Sequence, residues 1–277
     1  MGKRAEHLQT SSSVNEATLT ATLIGNTGRT EAHQFSNADV ARVDDVATGR
    51  IRQTRGIAVD YGAAYGLWLW NRTEGWRQIN TVDPDKMIAA DIDGDGEDEL
   101  VAGFIGYGLY SYVAPGVWTQ INTVIPDAIV PYSNGAVCDY GAAYGLWFYS
   151  KSGGWVQFNA ADPDKIVAVD IDADYQDELV VSFVGYGLYT YEPVGDIWQQ
   201  INTVIPDGMI RQGNGIAVDY GAAYGLWVWS QGGGWVRRNT VDPGQMTAVD
   251  LDKDGVEELV VSFSGFGLYY LDETIGW

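Results

Sequence analysis

The nine residues DYGAAYGLW occur three times without a change, at 60–68, 139–147 and 219–227. This identity establishes a long period of about 80 residues. A shorter period lies inside it, because the tripeptide Gly-Leu-aromatic occurs six times, each time after an aromatic residue. A tryptophan recurs in step, at Trp76, Trp118, Trp155, Trp198, Trp235 and Trp277. The chain is therefore a series of units of about 40 residues.

Each unit contains four short apolar or alternating segments that are bounded by Gly, Pro and Asp. In residues 87–128 they are MIAAD, ELVAGF, GLYSYV and VWTQINTV. Segments of this kind predict β-strands, and a period of about 40 to 50 residues with four strands is typical of a β-propeller. We predict an all-β fold, a six-bladed β-propeller of four-stranded blades arranged as three two-blade repeats. The predicted blades are 50–86, 87–128, 129–165, 166–208, 209–245 and 246–277.

The two ends of the repeat array bear on how the ring closes. The last unit breaks off at Trp277, before its fourth strand is complete. An unpaired strand edge is prone to association. Residues 40–49 align with the end of a complete unit, so we expect residues 40–46 to supply the outer strand of the sixth blade. The propeller domain would then be 40–277, after an N-terminal extension, 1–39, that we expect to be partly disordered.

The overall charge excludes several functions. The formal net charge is −21, from 16 basic and 37 acidic side chains, which disfavours binding to nucleic acids and to anionic membranes. No segment has the length and apolar character of a membrane span, and no signal peptide precedes the repeats. A single cysteine, Cys138, excludes an intrachain disulfide, and the only histidines are His7 and His33. Histidine-based catalysis within the repeats is therefore excluded.

Three acidic loops interrupt the even units, at 91–99, 170–178 and 250–258, and hold 16 of the 37 acidic residues. Oxygen ligands at positions 1, 3, 5, 7 and 9 of such a turn can surround Ca²⁺, which takes six to eight hard oxygen ligands. We predict up to three calcium ions, one per even blade. The side-chain ligands would be Asp91, Asp93, Asp95 and Glu99; Asp170, Asp172, Asp174 and Glu178; and Asp250, Asp252, Asp254 and Glu258. The backbone carbonyls at position 7 would come from Glu97, Gln176 and Val256.

A solvated acidic hairpin is the alternative for each loop, although four carboxylates in one turn would repel one another without an ion. The second loop fits the calcium pattern least well. There Tyr175 stands where Gly96 and Gly255 permit a sharp turn in the other two loops.

The run MIAADIDGDGEDELVAGF followed by GYGLYSY resembles an FG-GAP or VCBS-type repeat, as in the integrin α-subunit propeller. The resemblance is good for the three even units, whereas the odd units lack the acidic loop. It implies calcium-binding loops between the first two strands of a blade and recognition of glycans or proteins. It also implies an extracellular or cell-surface location, and no common catalytic activity.

A second set of candidates lies in the odd units, where an aspartate and a tyrosine replace small residues at the end of the second strand. A carboxylate in a covered strand needs a partner. Either it bonds backbone donors of a neighbouring blade, or it forms a sugar-binding pocket with the adjacent tyrosine and a nearby tryptophan. The candidate ligand-binding residues are Asp60, Tyr61 and Trp68; Asp139, Tyr140 and Trp147; and Asp219, Tyr220 and Trp227.

These observations predict a non-enzymatic, calcium-binding propeller that acts as a multivalent recognition module, with carbohydrate as the favoured ligand. The alternatives are a protein-binding adhesion or scaffold propeller, and a recently amplified or engineered repeat protein. A polysaccharide lyase or hydrolase is less favoured, because an active site is usually unique in a chain whereas these carboxylates repeat threefold. The sequence predicts no particular oligomeric state.

Overall fold

The computed structural model describes residues 40–42, 56–113, 116–251, 256–271 and 276. Within these residues the fold is all-β, apart from two four-residue helical turns. The strands form six antiparallel sheets, and each sheet is built from strands that follow one another in the chain. The predicted meanders are therefore confirmed.

The strands are numbered in chain order. The first sheet contains β1 (Val40–Arg42), β2 (Ile57–Asp60), β3 (Leu67–Asn71) and β4 (Gly75–Asn80). The second contains β5 (Lys86–Ala90), β6 (Glu99–Phe104), β7 (Gly108–Val113) and β8 (Val117–Asn122). The third contains β9 (Ala128–Tyr132), β10 (Gly135–Asp139), β11 (Leu146–Ser150) and β12 (Gly154–Asn159), with α1 (Gly141–Tyr144) between β10 and β11.

The second half repeats this arrangement. The fourth sheet contains β13 (Pro163–Val169), β14 (Glu178–Phe183), β15 (Gly187–Glu192) and β16 (Ile197–Asn202). The fifth contains β17 (Gly208–Gln212), β18 (Gly215–Asp219), β19 (Leu226–Ser230) and β20 (Gly234–Asn239), with α2 (Gly221–Tyr224) between β18 and β19. The described part of the sixth contains β21 (Pro243–Val249), β22 (Glu258–Phe263) and β23 (Gly267–Leu271).

Consecutive sheets pack side by side through their first strands, from β1 against β5 to β17 against β21. The core lies between the sheets. Leu109 of the second sheet, for example, is 1% exposed and belongs to one cluster with Ile92 and with Cys138 of the third sheet. Five four-stranded sheets and a sixth with three described strands, which cover one another's faces in this way, are the blades of a β-propeller.

The repeated tryptophans tie one blade to the next. Three of them lie near the start of a fourth strand and donate their indole N–H to a carbonyl oxygen in the fourth strand of the preceding blade. These bonds join Trp118 to Ile79 at 3.1 Å, Trp155 to Ile121 at 3.0 Å, and Trp235 to Ile201 at 3.1 Å. The spacing of the tryptophans therefore reports the spacing of the blades.

The glycine of each Gly-Leu-aromatic tripeptide is required by the backbone. Gly145 has φ +72°, and a Cβ there would lie closer than 3.0 Å to the carbonyl oxygen of Asn159. Gly66, Gly108, Gly187 and Gly225 meet the same obstacle from the corresponding asparagine. Positive φ and a close backbone approach are both compatible only with glycine.

The predicted closing strand is found elsewhere. Val40–Arg42 pairs with β2, so it is the inner strand of the first blade and not the outer strand of the sixth. Strands pair through backbone groups, so an extended segment can take any free edge near it in the chain. Residues 43–46, the rest of the predicted strand, and residues 1–39 lie outside the described residues.

The junction between the sixth and first blades differs from the other five. Closure of the ring is not seen among the described residues, in which the sixth blade has three strands. Leu268 is 73% exposed, whereas its equivalents Leu109 and Leu188 are 1% and 0% exposed. Trp76 is 45% exposed, whereas its equivalents Trp118, Trp155 and Trp235 donate hydrogen bonds to a preceding blade. The described residues leave these two faces uncovered.

A glycine substitution tests the backbone argument. Gly145→Ala should lower the free energy of unfolding by about 2 kcal/mol, because alanine at positive φ is strained and its Cβ clashes with Asn159. Urea unfolding measures the effect. Gly232→Ala is the control, since a Cβ there has no neighbour within 4 Å. Equal stability of the two variants would contradict the argument.

Candidate functional site

The first acidic loop joins β5 to β6 and brings three carboxylates together. Carboxylate oxygens of Asp91, Asp93 and Glu99 all lie within 4.8 Å of one another. In the loop between β13 and β14, Asp170, Asp172 and Glu178 form an equivalent cluster. Such oxygen-rich groups are the donors that Ca²⁺ prefers, so both clusters fit the predicted metal.

Backbone hydrogen bonds fix the first loop around its carboxylates. The two oxygens of Asp91 accept from the N–H groups of Gly94, at 2.6 Å, and Gly96, at 3.0 Å. Glu99 accepts from the N–H of Ile92 at 3.1 Å. Both Asp91 and Glu99 are buried. Backbone N–H groups of the loop thus hold the two buried carboxylates in place.

The second loop has the same bonds although its sequence differs. Asp170 accepts from the N–H of Tyr175 at 3.0 Å, and Glu178 accepts from that of Ile171 at 2.7 Å. Tyr175 has φ +71° and Ala173 has φ +64°. A left-handed conformation costs a residue with a side chain about 1–2 kcal/mol. The carboxylate bonds therefore hold the loop in its shape against backbone strain.

Some predicted ligands lie outside the clusters. Asp95 and Asp174 are exposed, and each accepts a hydrogen bond at 2.8 Å from the N–H of the residue two positions later, Glu97 or Gln176. In each of these two loops the compact donor set is therefore three carboxylates and not four.

The third loop is described only in part. The N–H of Leu251 donates to Glu258 at 2.6 Å, which matches the closing bond of the other two loops. Asp250 and Val256 are described, whereas Asp252 and Asp254 lie outside the described residues.

The clustered carboxylates affect one another's ionisation. Burial above all, with the charges of Asp93, Asp95 and Asp91, raises the pKa of Glu99 to about 7, against the lowering effect of the bond from Ile92. Burial likewise raises the pKa of Glu178 to about 7. A carboxyl group that resists ionisation beside other carboxylates is a group that a cation would stabilise in its charged form.

The two clusters differ in their neighbours from the next blade. Lys151, in the turn after β11, donates to Asp93 at 2.9 Å and covers that side of the first loop. Gln231 occupies the equivalent position beside the second loop, where Asp172 is exposed. Arg211 lies 4.0 Å from Asp177 on the inner side of that loop.

The aspartates of the odd blades are bound within their own turns. Asp60, Asp139 and Asp219 each accept at 2.7 Å from the N–H of the glycine two residues later. One of the two alternatives from the sequence expected backbone donors of a neighbouring blade, whereas these bonds come from the turn that follows each aspartate. Burial above all, with the charges of Asp127, Asp162 and Asp164, raises the pKa of Asp139 to about 6.

The tyrosines next to these aspartates connect blades. Tyr140 accepts a hydrogen bond from the side-chain amide of Asn122 at 2.8 Å, and Tyr220 accepts one from Asn202 at 2.8 Å. Their rings lie against Trp155 and Trp235, at centroid distances of 5.7 and 5.6 Å, as Tyr61 lies against Trp76 at 5.9 Å. These are the tryptophans of the fourth strands, not the predicted pocket residues.

The predicted pocket tryptophans instead hold the turn between the second and third strands. The indoles of Trp68, Trp147 and Trp227 donate to the carbonyl oxygens of Tyr65, Tyr144 and Tyr224 at 2.8, 2.8 and 2.9 Å. The structure therefore separates each Asp-Tyr pair from its predicted tryptophan. Ligand binding by these nine residues remains a prediction.

One exposed aromatic ring per blade emerges from the same turn. The exposed fractions are 68%, 59%, 59%, 63%, 55% and 65% for Tyr65, Tyr107, Tyr144, Tyr186, Tyr224 and Phe266. In the first four blades a fourth-strand glutamine amide also donates to the carbonyl of this residue, at 2.6 to 2.8 Å. The backbone is fixed while the ring faces solvent. In the sequence these rings mark the repeat, but their exposure was not predicted. The Ala-Ala pair that precedes the ring in the odd blades is a signal that could have indicated it.

No protein-family model and no curated protein matches this chain. Solved structures similar to it include BBS1N in complex with ARL6DN, at 12% identity and a TM-score of 0.54, covering 80% of this chain and 76% of that one. Sqt1 of Saccharomyces cerevisiae is similar at 9% identity and a TM-score of 0.54, covering 89% and 76%. These likenesses support the propeller fold alone. Among the described residues no helix has the length and apolarity needed to cross a membrane.

The raised carboxyl pKa values predict how stability depends on pH without metal. Between about pH 4.5 and pH 7 the folded protein keeps protons on Glu99 and Glu178 that the unfolded chain releases, so the stability of the metal-free protein falls as pH rises. Urea unfolding in chelator at several pH values measures this trend. Replacing Glu99 and Glu178 with Gln should flatten it, whereas stability that rises through this window would contradict it.

Proposed function

We propose that this chain is a non-catalytic, calcium-binding propeller of the FG-GAP or VCBS type that recognises carbohydrate at several equivalent positions. One observation carries the recognition role. Six aromatic rings, one per blade, are held at the same turn with more than half of each ring exposed. Large exposed apolar side chains in a repeated arrangement are typical of an interaction surface.

The calcium part of the proposal is supported by the chemistry of the loops. Three carboxylates converge in each of two loops, and two of the three are buried there. Burying several carboxylates together is unfavourable unless a cation compensates their charge. In this proposal Asp91, Asp93 and Glu99 hold one ion, and Asp170, Asp172 and Glu178 hold another. The ion would stiffen the connection between the first two strands of an even blade.

The carbohydrate part is supported by the kind of side chain that is presented. A tyrosine ring offers an apolar face to a sugar ring and a hydroxyl group to its polar edge. Multivalency strengthens weak sites, because binding at one site raises the effective concentration at the next. Carboxylates such as Asp83 and Asp85 line the groove near Asp60 at the same end of the blades. They add acceptors for sugar hydroxyl groups.

A protein ligand is the second candidate. The observation that favours it is the similar fold of BBS1N, which was solved in complex with ARL6DN. The exposed tyrosines would suit a protein interface equally well, because aromatic residues are enriched in such interfaces.

Calcium should raise thermal stability if the loops bind it. Chelator should lower the melting temperature, and excess Ca²⁺ should raise it by about 5 °C or more, because an ion bound only by the folded loop stabilises by mass action. Differential scanning calorimetry measures the shift. Asp91→Ala should reduce the calcium stoichiometry by one and keep the fold. Identical melting curves with chelator and with Ca²⁺ would refute the calcium part.

The exposed rings test the recognition part. Replacing Tyr65, Tyr144 and Tyr224 with Ala should weaken binding to immobilised oligosaccharides about 100-fold, because avidity is lost at three sites together. The melting temperature should change little, since the rings are exposed. Tyr175→Ala, which removes a ring that is 72% exposed in the second acidic loop, is the control. Undiminished binding by the triple variant would refute this role for the rings.

A further inference from the structure

A groove of about 550 Å³ lies between the fourth and fifth blades, at the end of the strands that carries the acidic loops. Its volume is within the range of about 300–1,000 Å³ that is usual for small-ligand sites. The polar side chains that line it include Thr190, Glu192, Gln199 and Gln231, and its aromatic walls are Trp229 and Trp235. It is separate from the exposed tyrosines, which lie at the opposite end of the strands.

The second and third blades provide an internal comparison for this groove. They repeat the strand pattern of the fourth and fifth blades, with 45 of 79 aligned residues identical and Asp196 inserted, so equivalent backbone positions can be compared. Thr190, Glu192 and Gln199 correspond to Ser111, Val113 and Thr119. Trp229 and Gln231 correspond to Tyr149 and Lys151. Five wall positions therefore differ together, and the groove of the fourth and fifth blades has the longer polar side chains and the larger ring.

Among these five positions, the exchange of Lys151 for Gln231 changes the charge at the junction between the two blades. Lys151 reaches back to Asp93 at 2.9 Å and so occupies the junction between the second and third blades. The glutamine at position 231 is shorter and uncharged, and it borders the open groove. One junction thus carries a cation paired with Asp93, whereas the groove at the other is bordered by a neutral amide.

The chemistry of the walls indicates what that ligand is. Amide and hydroxyl side chains such as Gln199, Gln231 and Thr190 both donate and accept hydrogen bonds, as sugar hydroxyl groups do. The carboxylates are partly engaged already, since Glu178 accepts from Ile171 and Glu192 accepts from the N–H of Val194 at 2.9 Å. None of the described side chains that line the groove is cationic, which disfavours an anionic ligand.

The indole rings add an apolar surface beside these polar groups. Trp235 is held by its bond to Ile201, and Trp229 packs among core residues of the fourth blade. Rigid aromatic walls with a few fixed polar groups are typical of ligand-binding sites.

We propose that the groove between the fourth and fifth blades binds a neutral oligosaccharide segment, with Trp229 as its apolar wall and Glu192, Gln199 and Gln231 as its polar contacts. This inference rests on the proposed carbohydrate-binding function and adds a site to it. The groove lies at the end of the strands that carries the acidic loops, whereas the exposed tyrosines lie at the other end.

The repeats themselves provide the test. Replacing Glu192 with Val, Gln199 with Thr and Gln231 with Lys installs the residues of the second and third blades, which the same backbone already accommodates. An array of neutral gluco-, manno-, galacto- and xylo-oligosaccharides is the probe. Isothermal titration of the best binder should show one site fewer, or binding about tenfold weaker, with an unchanged melting temperature.

The reciprocal variant should gain an oligosaccharide site, whereas the first variant should lose one. Val113→Glu, Thr119→Gln and Lys151→Gln together should add one oligosaccharide site between the second and third blades. If the wild-type protein binds an oligosaccharide and neither variant changes that binding, the proposed groove site is overturned and the proposed function stands. Oligosaccharide binding by no form of the protein would overturn both. Octalysine binding that the first variant abolishes would show a groove for cationic peptides and overturn the neutral-sugar assignment.

Discussion

The faces of each sheet are apolar on both sides, so a blade depends on neighbours to cover them. Leu109, Leu188 and the other inward leucines reach full burial only through side chains of the next blade. The indole bonds of Trp118, Trp155 and Trp235 reinforce the same interfaces. Stability in such arrays comes largely from nearest-neighbour interfaces. Leu268 and Trp76 are exposed because the described residues include no neighbouring blade that covers them.

The repeated nonapeptide can now be separated into folding and surface roles. Asp139 closes its own turn, Tyr140 binds Asn122 across the interface, and Gly145 occupies a site where only glycine fits. Leu146 is fully buried. Of the large side chains, the ring of Tyr144 alone has no such packing role. Folding therefore explains most of the threefold identity, and the exposed ring is the part that a function would have to explain.

The sequence predicted the blades well because their markers are local. Glycine and tryptophan at fixed intervals specify turns and strand starts, and the acidic loops are recognisable from spacing alone. The pairing of Val40–Arg42 with β2 could not be predicted in this way, because backbone pairing depends on which edge is free in the folded molecule.

For the candidate sites too, the sequence alone did not determine which side chains come together in the folded molecule. Asp95 and Asp174 have the right spacing for metal ligands, but their own turns direct them to solvent. The sequence also paired Tyr140 with Trp147, whereas the ring lies against Trp155, which is close only after the blades pack. Spacing in the sequence identified the acidic loops, but it did not determine which side chains of a loop converge or which rings meet between blades.

The shared strand pattern of the repeats makes their differences informative. When two blade pairs share one backbone, a changed side chain at an equivalent position is not needed to make the fold. Lys151 and Gln231 are such a pair, and the exchange alters both the charge beside the acidic loop and the space next to it. The first loop carries an ammonium group that an incoming calcium ion would meet, whereas the second has Arg211 on its inner side and an open groove on its outer side. A symmetric scaffold can therefore carry sites that are not equivalent, because the symmetry lies in the backbone and the specificity lies in the few side chains that depart from it.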